Sequence, residues 1–160
     1  MRPFYWSVEE NKHRADPFNW IIRGKMAASW WPDREVFQIY KNEGIKVIIN
    51  CSEFDNRNDI PGNFNYYHIN IPDFGLPTES QILKYIEITD KHGTNGEAMV
   101  THCVAGCGRT GQMIIVWASK NNQIPKDMDP VKWLRKKRPC SLETKKQEDF
   151  ARKIYQYYQK

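Results

Sequence analysis

Apolar residues along the chain fall in short runs separated by amphipathic and polar stretches. "FNWIIRG" and "KMAASWW" read as short strands, and "IKVIINC" as a buried strand. "PDREVFQIYKNEG" has helical spacing, with Pro32 and Asp33 opening the helix and Gly44 closing it. The polar segment "SEFDNRNDIPGNFN" has no periodicity and reads as a loop, after which "YYHINI" is a strand. Thr78 and Gln81 make a capping box for a helix that ends at Gly93. "EAMVTHC" then re-enters the sheet, "TGQMIIVWASKNN" leaves it as an apolar central helix, and "DPVKWLRKKR" and "ETKKQEDFARKIYQYYQK" follow as helices. This alternation predicts an α/β fold, with a central, mostly parallel sheet flanked by helices. Its ligand site is expected beyond the C-terminal ends of the strands.

The 160 residues show no internal repeat or low-complexity linker and suit one domain, expected over residues 18–160 with 1–17 as an N-terminal extension. No apolar run approaches the roughly 20 residues of a membrane span, and the N-terminus lacks a signal-peptide core, so a cytoplasmic protein is expected. The four cysteines contain no C-x-x-C pair and are expected as free thiols rather than a disulfide framework or metal site. Net charge +5 and a pI near 9.0 suit an anionic partner: a phosphorylated substrate, a nucleic acid or an anionic membrane surface. The densest basic cluster, "KWLRKKRPC", reads either as a solvated helix face or as a collar that attracts phosphorylated partners.

The stretch "VTHCVAGCGRTG" changes this picture most. A strand, a glycine-dotted loop and a helix in succession make an anion cradle from loop amides and a helix N-terminus. No Gly-Lys-Ser/Thr ends the loop, so it is not a nucleotide-binding loop. A cysteine in this setting beside an arginine is readily ionised. Arg109 also suits two-pronged capture of phosphoryl oxygens.

"HCVAGCGRTG" resembles the His-Cys, five residues, Arg-Thr-Gly signature of the cysteine-based protein tyrosine phosphatases. "IPDFGLPT", "RGKMAAS" and "RPCSLETKKQE" extend the likeness over residues 18–160. It is nearest to the small atypical dual-specificity phosphatases of the VHZ-like and archaeal single-domain type. The resemblance implies that Cys103 is the nucleophile and that the amides of Val104, Ala105, Gly106, Cys107, Gly108 and Arg109, with the Arg109 guanidinium, hold the phosphoryl oxygens. It implies Asp73 as general acid, with a turn aspartate as the plainer reading; Asp55, Asp59 and Glu53 in the earlier polar loop are weaker candidates. Thr110 is expected to support the sulfur, Gln147 to position water or to lie on the helix surface, and Glu53 to line the substrate mouth. His102 is expected to orient the loop or simply to fill the core.

No cofactor is implied. The implied substrates are phosphoproteins carrying phosphotyrosine, with phosphoserine and phosphothreonine also open. RNA 5′-phosphates and phosphoinositides are alternatives within the superfamily, and a non-catalytic phosphate-binding module or a sulfurtransferase are alternatives outside it. Cys107 is not part of the signature. It is expected to form an uncharged outer wall of the loop, with Cys51 either the thiol that resolves oxidised Cys103 or a packed core residue.

Overall fold

The computed structural model describes residues 16–159, so most of the expected 1–17 extension lies outside the described residues. Five strands form one sheet in the order β1-β2-β5-β3-β4: β1 Phe18–Ile22, β2 Met26–Ser29, β3 Ile45–Asn50, β4 Asn65–His68 and β5 Ala98–His102. The β1–β2 pair is an antiparallel hairpin, and every other pairing is parallel, as the strand–helix alternation predicts.

Along β3 and β5 the side chains alternate between two cores. Val47, Ile49 and Met99 face one, while Ile48, Val100 and Ala98 face the other. The smaller core is closed by α1 (Arg34–Asn42) through Val36 and Tyr40. Asp33 caps that helix by accepting from the Val36 amide at 3.0 Å. The larger core lies under α2 (Glu79–Thr94), α3 (Gly108–Lys120), α4 (Pro130–Lys137) and α5 (Lys145–Tyr158). The capping box at the start of α2 is formed as predicted.

α3 is buried from Gly108 through Ser119, which explains why its sequence is apolar on every side from Met113 to Ala118. It begins two residues before the expected Thr110, so the signature arginine belongs to its first turn. Among the described residues, no helix is long and apolar enough to cross a membrane.

Candidate active site

Residues 103–107 connect the C-terminal end of β5 to the N-terminus of α3. Each successive carbonyl of this loop meets a donor supplied from behind. Cys103 O accepts from His102 Nδ1 at 2.9 Å, and Val104 O accepts from the Trp31 amide at 2.8 Å. Ala105 O and Gly106 O accept from the Arg138 guanidinium at 3.4 and 2.6 Å. Cys107 O accepts from the amides of Gly111 at 3.0 Å and Leu142 at 3.1 Å. With its carbonyls committed to the rear, the loop's amides are left for the front. Among the described residues, no amide from Val104 to Arg109 donates to another group. Gly106 has φ +77°, and a Cβ there would collide with the Ser29 carbonyl and Arg138, so glycine is required.

At the front, Thr110 Oγ1 donates to Cys103 Sγ at 3.0 Å. Arg109 is almost fully buried, and its Nη1 donates to Glu53 Oε1 at 2.8 Å and to the Ile71 carbonyl at 3.0 Å. Its Nη2 lies 3.4 Å from Asp73 Oδ1. Burial works against the Arg109 cation, but Cys103, Glu53 and Asp73 together hold it above its usual range. The hydrogen bond from Arg109 holds the Glu53 carboxyl below its usual range.

Asp73 occupies a turn in which the Gly75 amide donates to Pro72 O at 2.8 Å and Phe74 takes φ 59°. A non-glycine residue in that region is strained by roughly 1–3 kcal/mol, and the surrounding contacts must hold it. Glu53 Oε2 accepts from the Asp73 amide at 3.4 Å. The buried carboxamide of Gln112 donates to Gly75 O at 3.1 Å and to Gly108 O at 3.2 Å, tying the Asp73 turn to the first turn of α3.

A family model described as the DSP-PTPase phosphatase of polymorphic toxin systems, Tc-R-P, matches residues 25–123, more than half of the chain. The chain belongs to this DSP-PTPase family. Tyrosine-protein phosphatase cdc-14 of Caenorhabditis elegans is 28% identical over 155 residues, covering 87% of this chain and 21% of that protein. The uncharacterized protein MJECL20 of Methanocaldococcus jannaschii is 31% identical over 85 residues, covering 52% of this chain and 55% of that one. The chain thus spans about a fifth of the first relative's length and about half of the second's. In fold it is similar to Tk-PTP in its active form, with a TM-score of 0.71 at 21% identity over 88% of this chain and 97% of that one. DUSP15 gives a TM-score of 0.72 at 14% identity over 89% of this chain and 94% of that one.

The DSP-PTPase signature loop brings Cys103, Arg109, Thr110, Asp73 and Glu53 together, while Asp55 lies apart. Asp55 accepts from Tyr66 and from the Arg57 amide in the preceding loop, and Asp59 sits in a short 3-10 turn there, Arg57–Asp59. His102 is fully buried, and burial pulls it down to about 4, so it is a neutral imidazole whose Nδ1 donates to the Cys103 carbonyl. Gln147 is buried rather than on the helix surface. Its Oε1 accepts from the Glu143 amide at 2.8 Å, and its Nε2 lies 3.5 Å from Gly75 O.

Two expectations about the cysteines are corrected. Cys107 and Cys140 form a disulfide, with Cα atoms 5.3 Å apart, so only Cys51 and Cys103 are free thiols. Nor is Cys107 an outer wall at the substrate mouth: it is buried at the rear of the loop, against Ala105 and the segment that follows α4. The sequence distance of 33 residues hid this pair, because α3 and α4 must pack before the two thiols meet.

The basic cluster is likewise not one solvated face. Arg138 is fully buried, and Arg135 donates to the carbonyls of Ser141 and Leu142, both at 2.8 Å. Sequence reasoning missed Arg138, Gln112 and Glu143. Gln112 had a signal, as a carboxamide inside an otherwise apolar helix. Glu143 sits over Gly108, and its carboxyl is held above the usual range by desolvation and by Asp73.

Proposed function

We propose that this DSP-PTPase protein hydrolyses phosphate monoesters on phosphoproteins through a phosphocysteine intermediate. Phosphotyrosine is the primary substrate, and phosphoserine and phosphothreonine are secondary. The observation that carries this reading is Cys103 Sγ, 3.0 Å from the Thr110 hydroxyl at the foot of a loop whose carbonyls are all anchored to the rear. The Cys103 thiolate attacks phosphorus, forming an S–P bond as the ester P–O bond breaks. Amides of residues 104–109 and the Arg109 guanidinium take the equatorial oxygens. Asp73 delivers its proton to the departing oxygen. As a carboxylate it then accepts a proton from the water that displaces sulfur, with Gln147 helping to place that water and releasing inorganic phosphate. Thr110 donates to the sulfur and eases its departure.

Glu53 and the Ile71 carbonyl fix one end of the guanidinium, leaving Nη2 for a phosphoryl oxygen that would take the place of the Asp73 contact. Exposed Phe54 and Phe74 directly follow Glu53 and Asp73, and they suit an aromatic ester better than a small alkyl one. Turnover compared across phosphotyrosyl, phosphoseryl, phosphoinositide and RNA 5′-phosphate substrates tests the reading. A preference of at least tenfold for the phosphotyrosyl peptide is expected, and a clear preference for RNA or lipid overturns it.

Oxidation of Cys103 and its rescue by Cys51 belong to the same proposal. The Cys51 amide donates to His102 O at 2.7 Å, so Cys51 leaves β3 at the same sheet edge at which Cys103 leaves β5; this supports the reading, although burial pushes the Cys51 thiol well above its usual range. Peroxide treatment followed by peptide mapping is expected to yield a Cys51–Cys103 link, and a Cys103–Cys107 link would refute the assignment. A cytoplasmic location is also part of the proposal. It requires the Cys107–Cys140 bridge to persist or reform in a reducing compartment, which trapping of thiols in intact cells measures.

A further inference from the structure

Arg138 is the largest fully buried side chain, and among the described residues no carboxylate lies within ion-pair distance of it, Asp16 acting on it only from farther off. A buried guanidinium normally has an acid partner, because desolvating an unpaired charge is costly. Here its partners are three neutral oxygens: Nε donates to Gly106 O at 2.6 Å, Nη2 to Ala105 O at 3.4 Å, and Nη1 to Asn19 Oδ1 at 2.5 Å. The other carbonyls of the loop are held by backbone amides or by neutral His102, so among the described residues Arg138 is the only cation bonded to a carbonyl of this loop.

We infer that Arg138 is a positioning residue for the proposed phosphatase chemistry: from behind the signature loop it turns two carbonyls rearward so that the amides face the oxyanion, and it lends positive charge to the Cys103 thiolate. This inference rests on the phosphatase reading but adds a residue that touches neither substrate nor sulfur. The groups around Cys103 are Arg109, Arg138, the Cys51 thiol and the Thr110 hydroxyl; those around Arg138 are Cys103, Asp16 and Tyr40. Burial brings Arg138 down to about 10, with Cys103 the foremost group working in the opposite direction, so it remains a cation at neutral pH.

Only a fork can serve Gly106 O, Ala105 O and Asn19 at once. A lysine keeps the charge but loses that geometry. The two contributions therefore separate. With the full chain, iodoacetamide alkylation of Cys103 at pH 6 reads thiolate, and calorimetry with tungstate reads the cradle without requiring turnover. Arg138→Met is expected to slow alkylation about tenfold and to weaken tungstate binding about tenfold. Arg138→Lys should restore alkylation to within about threefold of the unmodified protein while tungstate binding stays weak.

An Arg138→Met protein that unfolds cooperatively in urea yet keeps both properties would overturn the assignment. If Arg138→Met does not fold, Arg138→Lys and Asn19→Ala decide, since Asn19→Ala loosens the fork without removing its charge. Unchanged tungstate affinity in both variants refutes the positioning role. The phosphatase reading fails separately: a chain that turns over no phosphate ester sinks that reading, while alkylation and tungstate binding still judge Arg138.

Discussion

The front and the rear of the signature loop are built from opposite materials. At the front, Arg109 meets two carboxylates that are partly open to solvent, Glu53 and Asp73, and the neighbouring Phe54 and Phe74 are exposed. At the rear, Arg138, Tyr40, Ser29 and Cys107 are buried, Cys140 is partly buried, and the Tyr40 hydroxyl donates to Ser29 Oγ at 2.7 Å. A front that exchanges partners with a phosphate ester needs contacts that water can replace. A rear that holds a loop geometry needs contacts that water cannot reach, since burial strengthens each hydrogen bond and makes its loss costly. Substitutions at the front should therefore change turnover with little effect on stability, and those at the rear should change stability as well.

The sharpest test of the front is Cys103→Ser. Turnover should fall by roughly 10⁶-fold, the scale seen when a nucleophile is removed, while tungstate still binds. Substantial residual hydrolysis in that variant would rule out the phosphocysteine route. Asp73→Asn should come next, slowing phosphotyrosine and alkyl phosphates by about 10²- to 10⁴-fold but an activated aryl phosphate far less. Equal losses on both esters would move the acid role away from Asp73.

At the rear, the bridge closes a loop of 33 residues in sequence separation, so Cys140→Ser should lose roughly 3–4 kcal/mol of unfolding free energy. Urea unfolding with and without reductant checks this. The native chain should be weakened by reductant and the variant should not. A chain indifferent to reductant contradicts the bridge.

His102 supplies the smallest effect and a pH signature. It is held near 4 by burial, against an ordinary value of about 6.5 for an unfolded histidine. Between these values the unfolded state binds the extra proton. Its contribution is thus fully present above about pH 6.5 and is lost as the pH falls toward 4, by about 3 kcal/mol over the interval. Urea midpoints for His102→Asn should show a shallower loss across that range than the native chain. Parallel curves would mean that some other group carries the acid sensitivity.

Much of the front was legible in one dimension because its chemistry is contiguous. Cys103, Arg109 and Thr110 lie within eight residues, and a strand, tight loop and helix of that kind have few ways to fold. Asp73 was legible from "IPDF" at the end of a strand, although its 3.4 Å approach to Arg109 depends on the positive φ of Phe74 and on Gln112 tying down Gly75. The helix caps at Asp33 and Thr78 were equally local and came out as expected. In each of these cases the partners are neighbours along the chain, so the backbone itself keeps them in range.

The rear could not be read that way. "KKRPC" presents Arg138 and Cys140 at the end of a basic run that sequence alone reads as a solvated helix face or as a collar for phosphorylated partners. Whether a charge there is solvated or buried depends on where α4 ends against β1, and Asn19 fixes that junction by donating to the Lys137 carbonyl at 3.0 Å. The sequence by itself thus determined the sheet, the order of its helices and the place of the candidate nucleophile and anion cradle, because those follow from local periodicity and from residues adjacent in the chain. Only the tertiary structure decided which arginine lies behind the loop and which cysteine pairs with Cys107. Those contacts join residues more than 30 positions apart, and nothing but the completed packing of α3 and α4 on the sheet brings them within bonding distance.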